Sequence, residues 1–349
     1  MRKTSGRGKQ LFRAIFVLAL TAFFLWLFLR NANLQAVGSI LRSASPAWLT
    51  AAVIVNIFAL LFRTIRWRTL LDPDDPPPFY ATFFANTIGY MASSLLPIRA
   101  SDFARSALLA RRTVHRFSGA IGTVLAERVL DLGSILLLFV YFALRRRGEL
   151  TSNPQTAQWF NYLVVPAVIV ASVILAALTT LMISVYFFGS RIRRWHEALG
   201  RFVPTRFRSS WMHFFDTFAA TLEILHHRSA LRTVLLSTVG VWACLSGQIY
   251  LSAKALRLAL PFDASFFITG ASTIGLAVPT PGGVGGIHKV CQFILTRFYL
   301  MKNEPAVAAA VLFHLVGTVP VVVIGVALFA REGLHWRDLS GGDERGIEN

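Results

Sequence analysis

Charge is what this chain has least of: 15% of its 349 residues are Asp, Glu, Lys or Arg, where a soluble domain carries about a quarter. The shortage argues against an ordinary water-soluble fold. Cysteine is also scarce. Cys244 and Cys291 lie in apolar segments, without metal-binding spacing, so neither a disulfide framework nor a metal site is expected. They read as small buried hydrophobes. Zinc-finger, helix-turn-helix and RNA-binding signatures are missing, as are an evident internal repeat and a separate soluble domain.

What is present is apolar and basic. Hydrophobic residues make up 55% of the chain, with 29 Phe, and 35 Lys and Arg outnumber 17 Asp and Glu for a net charge of +18. The basic residues sit in short segments beside long apolar runs. That placement suits membrane topology and contact with anionic lipids better than nucleic acid.

A helix needs about 20 apolar residues to cross the hydrocarbon core. Six stretches qualify: 11–29, 47–69, 118–144, 160–187, 232–257 and 305–330. The first follows Arg2, Lys3, Arg7 and Lys9 and is too long for a cleavable signal core, so it reads as a retained span with residues 1–10 in the cytoplasm. Two further apolar regions, 79–110 and 262–301, are interrupted. Arg63, Arg66 and Arg68, and the arginine-rich segment 188–208, both belong inside. An even number of crossings must separate them, so 79–110 enters and leaves on one side. The same counting makes 262–301 re-entrant from the other side. The expectation is an all-α, polytopic helical membrane protein with about six full spans and two broken re-entrant elements. Arg145, Arg146 and Arg147 then fall outside, against the positive-inside rule. Asp72–Pro78 is a loop by composition, Trp211–His227 has the spacing of an amphipathic surface helix, and 331–349 is a polar tail.

Three constellations carry the chemistry. In the first, Asn86 to Arg105, an apolar run breaks at Pro97 and turns charged at Arg99, Asp102 and Arg105. Ser101 is placed to cap a following helix, and Asp102 and Arg105 are i,i+3 neighbours able to pair. Arg99 and Arg105 suit a phosphate, whose oxygens a guanidinium matches bidentately; the bland alternative is a loop with a structural ion pair. In the second, Glu127, Arg128 and Asp131 lie inside the span 118–144. Such residues cost about 3 kcal/mol each at a helix centre on insertion scales and usually face the bundle interior. One pair forms within the helix, and Arg63, Arg66 or Arg105 can serve the remaining carboxylate. A buried network that fixes packing is compatible with one that positions arginines for a substrate. Arg63, Arg66, Trp67 and Arg68 read as an interfacial anchor, with Arg63 and Arg66 one turn apart and able to face a cavity.

The third constellation is Pro279, Thr280, Pro281, Gly282, Gly283, Val284, Gly285, Gly286, Ile287, His288 and Lys289. Its prolines and glycines forbid a regular helix, and it lies between two apolar half-spans. It reads as the tip of a re-entrant loop whose second half-helix offers N–H groups to an anion. It is not a Walker A loop, because no Gly-Lys-Ser/Thr follows. His288 is either a satisfied polar residue or a proton carrier.

In fixed order, Arg63–Leu71 (RTIRWRTLL), Asn86–Arg105 with its LLPIRASDFAR core, Ala126–Asp131 (AERVLD) and Pro279–Gly286 (PTPGGVGG) resemble the flippase-like transmembrane family related to the membrane portion of lysylphosphatidylglycerol synthases. The resemblance covers about 11–330 and implies a multi-pass protein that binds or moves a lipid at the bacterial or archaeal inner membrane. Two-domain relatives carry a soluble C-terminal domain that makes aminoacyl lipid from charged tRNA. This chain ends at residue 349 without one, so synthase activity is not expected. Two positions depart from the family pattern: His288 stands where an acid is common, and Ser101 stands where a glycine precedes the aspartate.

These readings converge on a lipid flippase-like transporter for an anionic or sugar-phosphate lipid, without cofactor or metal. Arg99, Arg105 and Arg128 are expected to hold the headgroup phosphate, Glu127 and Asp131 to position them, and Gly282, Gly283, Gly285 and Gly286 to allow close approach. Asn86, Asp102, Arg63, Arg66, Pro97, Pro279, Thr280, Pro281 and His288 complete a shared site near the midplane. With no nucleotide motif, transport would be passive or gradient-driven. The alternatives are a membrane-embedded glycosyl- or acyl-transferase using Glu127 or His288 as base, and a scaffold subunit for a lipid-modifying enzyme partner.

Overall fold

A computed structural model describes residues 4–95, 101–113, 117–180, 184, 227–276 and 280–333. Among them, regular structure is helical throughout. The order is α1 Thr4–Leu29, α2 Leu34–Arg42, α3 Pro46–Leu71, α4 Phe79–Leu95, α5 Ser101–Ala110, α6 Phe117–Ser152, α7 Pro154–Thr180, α8 Arg228–Ala255, α9 Phe262–Gly275, α10 Gly286–Arg297 and α11 Asn303–Arg331. The segment 188–208, the amphipathic pattern of 211–226 and the tail from 334 lie outside the described residues.

Local chemistry sets the ends. Asn33 Oδ1 accepts the N–H groups of Gln35 and Ala36 to start α2, and Asn153 does the same for Gln155 at the head of α7. Pro46 and Pro154 occupy first-turn positions, where a missing N–H costs nothing. α3 stops at Asp72, whose carboxylate accepts from Asp74 N and Asp75 N ahead of the proline run.

Four helices are long and apolar enough to cross a membrane: α3, α7, α8 and α11. α1 and α2, bent by 84°, make a fifth candidate. The count of six expected from sequence is therefore four to five by this test. α6 is the longest helix at 36 residues, but Glu127, Arg128, Asp131 and Arg145–Arg147 keep every stretch of spanning length charged.

α3 and α8 run antiparallel and pack along their lengths. Ser45 N bonds Ala255 O at 2.8 Å at one end of the pair. Farther along, Gly240 lies so close to Phe62 that an added Cβ would stand 2.8 Å from the ring. Small residues let membrane helices approach like this. The interrupted regions each form two helices packed together, α4 with α5 and α9 with α10.

Two ends of the bundle follow. At one, Tyr80 at the start of α4 and Arg112 after α5 bond the carboxylate of Glu332, beyond α11. At the other, Asn303 at the head of α11 bonds Asn31 O after α1 and Gln292 of α10. Arg146 sits at this Asn303 end, pairing with Asp263 of α9 and with Glu149. The cluster expected to break the positive-inside rule thus has one arginine paired with two acids.

Candidate functional site

Sequence reasoning placed seven residues of the first two constellations and the end of α3 in one region, and the structure joins them. α3 brings Arg66, α4 brings Asn86, α5 brings Asp102 and Arg105, and α6 brings Glu127, Arg128 and Asp131. Glu127 is the hub. Its Oε2 accepts from Arg105 Nη2 at 2.5 Å, and its Oε1 lies 3.5 Å from Arg66 Nε. Arg66 Nη1 reaches Asp131 at 2.8 Å, Arg105 Nη2 also reaches Asp102 at 3.0 Å, and Arg128 Nη2 closes on Asp102 at 2.9 Å. Arg128 Nη1 lies 3.6 Å from Asp131. The ring holds three arginines and three carboxylates.

The members differ in exposure. Arg66, Arg105 and Glu127 are each 2% exposed, whereas the Arg128 side chain is 49% exposed. Arg105 is further held by Asn86 Oδ1 and stacks over Trp67, while Asn86 donates to Thr64 Oγ1. Trp67 is fully buried and donates to Thr123 Oγ1. It is a wall of the network and not the interfacial anchor expected from its position. Arg105, expected at a phosphate, is occupied by two carboxylates and an amide.

Arg63 is different again. Its guanidinium lies over the Tyr90 ring at 4.6 Å, it is half-buried, and among the described residues no carboxylate pairs with it. With Arg63 counted, four arginines face three carboxylates. Thr64, Trp67, Tyr90 and Thr123 were not assigned to the site by sequence. Thr64 and Trp67 carried a signal, as direct neighbours of Arg63 and Arg66 in one motif.

The Pro/Gly segment forms a separate feature. Pro281–Gly283 make one 3-10 turn, with Gly282 at φ 58° and Gly283 at φ 71°. Thr280 is buried and its hydroxyl donates to Val284 O at 2.9 Å. A Cβ on Gly282 would stand 3.1 Å from Ser94 O of α4, and one on Gly285, at φ 86°, would stand 2.5 Å from Phe24 Cβ of α1. The glycine turn therefore meets the end of α4 on one side and α1 on the other, and the glycines serve contacts between helices. Gly286 opens α10. His288 Nδ1 accepts the Gly285 N–H at 3.1 Å, closing the first turn from its third position. A glutamate at the third position does the same in a capping box, so the departure at His288 keeps an acceptor in place. That nitrogen is taken up by the backbone donor, and the ring lies in tilted contact with Phe28 and His314, 5.0 and 4.7 Å between centroids.

The shared midplane site divides into two levels. Tyr80, at the Glu332 end, precedes Asn86 by about 9 Å of helix, and Ser94 lies about 12 Å beyond Asn86 at 1.5 Å per residue. The ion-pair ring is thus nearer the Glu332 end, and the glycine tip is deeper. Arg63 and Tyr90 fall between them. Pro97, Arg99 and Pro279 lie outside the described residues, as does the side chain of Ser101. Among the described residues no group of His, Cys, Asp and Glu is arranged to hold a metal ion.

Among curated proteins no sequence matches this chain. The family model described as the lysylphosphatidylglycerol synthase TM region matches residues 14–325, which takes in the ion-pair ring, Arg63 and the glycine tip. The chain belongs to the lysylphosphatidylglycerol synthase transmembrane-region family.

Proposed function

We propose that this protein moves a lipid with an anionic headgroup between the leaflets of the inner membrane. The carrying observation is the division among the four arginines. Arg66 and Arg105 are consumed by the buried ring, while Arg128 is half exposed and Arg63 has no carboxylate partner among the described residues. A guanidinium seated on an aromatic ring, beside a charge-balanced ring, is suited to receive a phosphate as the one missing negative charge. In this reading Glu127, Asp102 and Asp131 hold the frame, Arg128 meets the headgroup first, and Arg63 lies deeper along its path. The contact of the glycine tip with Ser94 and Phe24 closes that path from the opposite end.

α6 completes six crossings with α1, α3, α7, α8 and α11. Glu127 and Arg146 are separated by about 28 Å of helix, close to the ~30 Å hydrocarbon core. The Glu332 end faces the cytoplasm, because Arg68, Arg111, Arg112 and Arg331 gather towards it. Transport is favoured over transferase chemistry because both candidate bases are engaged, Glu127 by two guanidinium groups and His288 by a backbone N–H.

The test is reconstitution in liposomes with headgroup-labelled phosphatidylglycerol or phosphatidylcholine, followed by a leaflet-accessibility assay. Movement of the anionic lipid should exceed that of the zwitterionic one. Arg128→Ala should slow it by roughly tenfold, the equivalent of a charge-assisted hydrogen bond of about 1.5 kcal/mol. Equal rates for wild type and variant with both lipids reject the proposal.

A further inference from the structure

α11 serves two separate apolar cores, and the division between them falls at a proline. In its upper half, residues from Ala306 to Val316 share a core with Ile294 and Leu295 of α10. In its lower half, Val322, Leu328 and Phe329 pack on a core that holds Trp67 of α3, Met91 of α4 and Leu109 of α5. Pro320 stands between the two inside the helix. It has no N–H, so Val316 O loses the donor that an unbroken helix supplies, and the ring crowds that carbonyl. Bending of a long helix concentrates at such a residue.

Each half is fastened to its own partners. At the head of the upper half, Asn303 accepts from Gln292 of α10 at 2.7 Å and donates to Asn31 O at 2.7 Å. Farther down, the His314 ring meets that of His288. α1 goes with this half, because Lys289 donates to Leu27 O and Gln292 to Phe28 O. The lower half holds α4 and α5. A Cβ on Gly325 would stand 2.6 Å from Met91 Cβ, and Glu332 accepts from Arg112 at 2.6 Å and from Tyr80 at 3.2 Å. Between these two bodies lies the approach of Gly282 to the Ser94 backbone, to which the glycine brings no side chain to interlock. The other end of α10 has its own flexible joint. α9 is tied to α6 through Asp263 and Arg146, and it leads into α10 through a turn with Gly282, Gly283 and Gly285 at positive φ. α3 and α8, packed along their lengths, have no proline beyond the first turn and form a straight reference for both bodies.

We infer that Pro320 is a hinge about which α1, α10 and the upper half of α11 swing as one body against α3 and α8, while the lower half stays with α4 and α5. The swing parts Gly282 from Ser94. It leaves the ion-pair ring intact, because Arg66, Asp102, Arg105, Glu127, Arg128 and Asp131 all lie outside the moving body. Its use in transport rests on the reading of the Gly282–Ser94 contact as the closure of the lipid path. The distances measured below do not depend on transport, so the two proposals fail separately.

The test is double electron–electron resonance on the full chain in nanodiscs containing phosphatidylglycerol, with Cys244 and Cys291 replaced by alanine. Spin labels at Lys302→Cys, before the head of α11, and Leu236→Cys, on the exposed face of α8, read the upper half. Labels at Arg331→Cys and Leu236→Cys read the lower half. The upper pair should show two distances and the lower pair one. Pro320→Ala restores the N–H and should collapse the upper pair to one distance, whereas Pro320→Gly, which keeps the helix pliant, should retain both. In the liposome assay Pro320→Ala should slow movement of phosphatidylglycerol roughly fivefold, the equivalent of one backbone hydrogen bond. A single distance for the upper pair in the wild type, or two distances that persist in Pro320→Ala, overturns the hinge. Collapse of the distances with leaflet movement unchanged keeps the hinge and rejects the Gly282–Ser94 contact as the closure of the path.

Discussion

Glu127 should be the most costly single residue of the ring to neutralise. Its two oxygens face Arg105 at 2.5 Å and Arg66 at 3.5 Å, and all three side chains are buried. Removing one partner of a buried ion pair costs about 3–5 kcal/mol, mostly because the other charge is left uncompensated. Arg66 keeps Asp131 at 2.8 Å, and Arg105 keeps Asp102 at 3.0 Å and Asn86 at 3.4 Å. The loss for Glu127→Gln should therefore fall at the low end, about 3 kcal/mol. At about 2–4 °C per kcal/mol this lowers the melting temperature by roughly 6–12 °C. Thermal unfolding of the purified protein in nanodiscs, followed by tryptophan fluorescence, measures it. Glu127→Leu combined with Arg105→Met removes both charges, and should be less destabilising than the sum of the single variants by about 1–3 kcal/mol. A shift below 1 °C for Glu127→Gln, or strict additivity in the double variant, would refute the network as described.

Other outcomes follow from the same geometry. His288→Glu should preserve the first turn of α10, while His288→Leu should lose an N-terminal cap, about 1 kcal/mol on the same unfolding curve. Glu332 is held below the usual carboxylate range by its hydrogen bond with Arg112, helped by Tyr80. A depressed native value gives stability above the unfolded-state pKa that is lost as pH falls through the native one. The melting temperatures of wild type and Glu332→Gln should thus differ at pH 7 and converge below pH ~4. Cysteines at Arg147 and Arg112 should react with an impermeant maleimide from opposite sides of the membrane; labelling of both from the cytoplasm would contradict the two-ended topology.

The helices were legible to different depths. α3, α8 and α11 were visible in the sequence to within a few residues, because long apolar runs end at prolines and arginines. Both broken elements were found through Pro97 and the Pro279–Gly286 run. α2 was missed, since nine residues between Asn33 and Ser43 are too few for a span and resemble a connection. Within-helix pairs such as Asp102–Arg105 follow from spacing alone. Partners across helices do not: three arginines were open to the spare carboxylate, and bundle geometry brings Arg66 and Arg105 to Glu127 while seating Arg63 on Tyr90. Depth was the main loss. Hydropathy locates a span but not its vertical register against its neighbours, so the charged ring and the glycine tip merged into one midplane site. The arginines 145–147 looked misplaced for a related reason, because the acids that answer Arg146 include Asp263 from a distant helix.

The central claim is that the ring supports the fold and Arg63 serves the lipid. Arg63→Gln compared with Glu127→Gln separates the two roles in one reconstituted preparation. The account predicts that Arg63→Gln keeps the wild-type melting temperature and loses leaflet movement of labelled phosphatidylglycerol. A fall in melting temperature like that of Glu127→Gln, or movement at the wild-type rate, would contradict it.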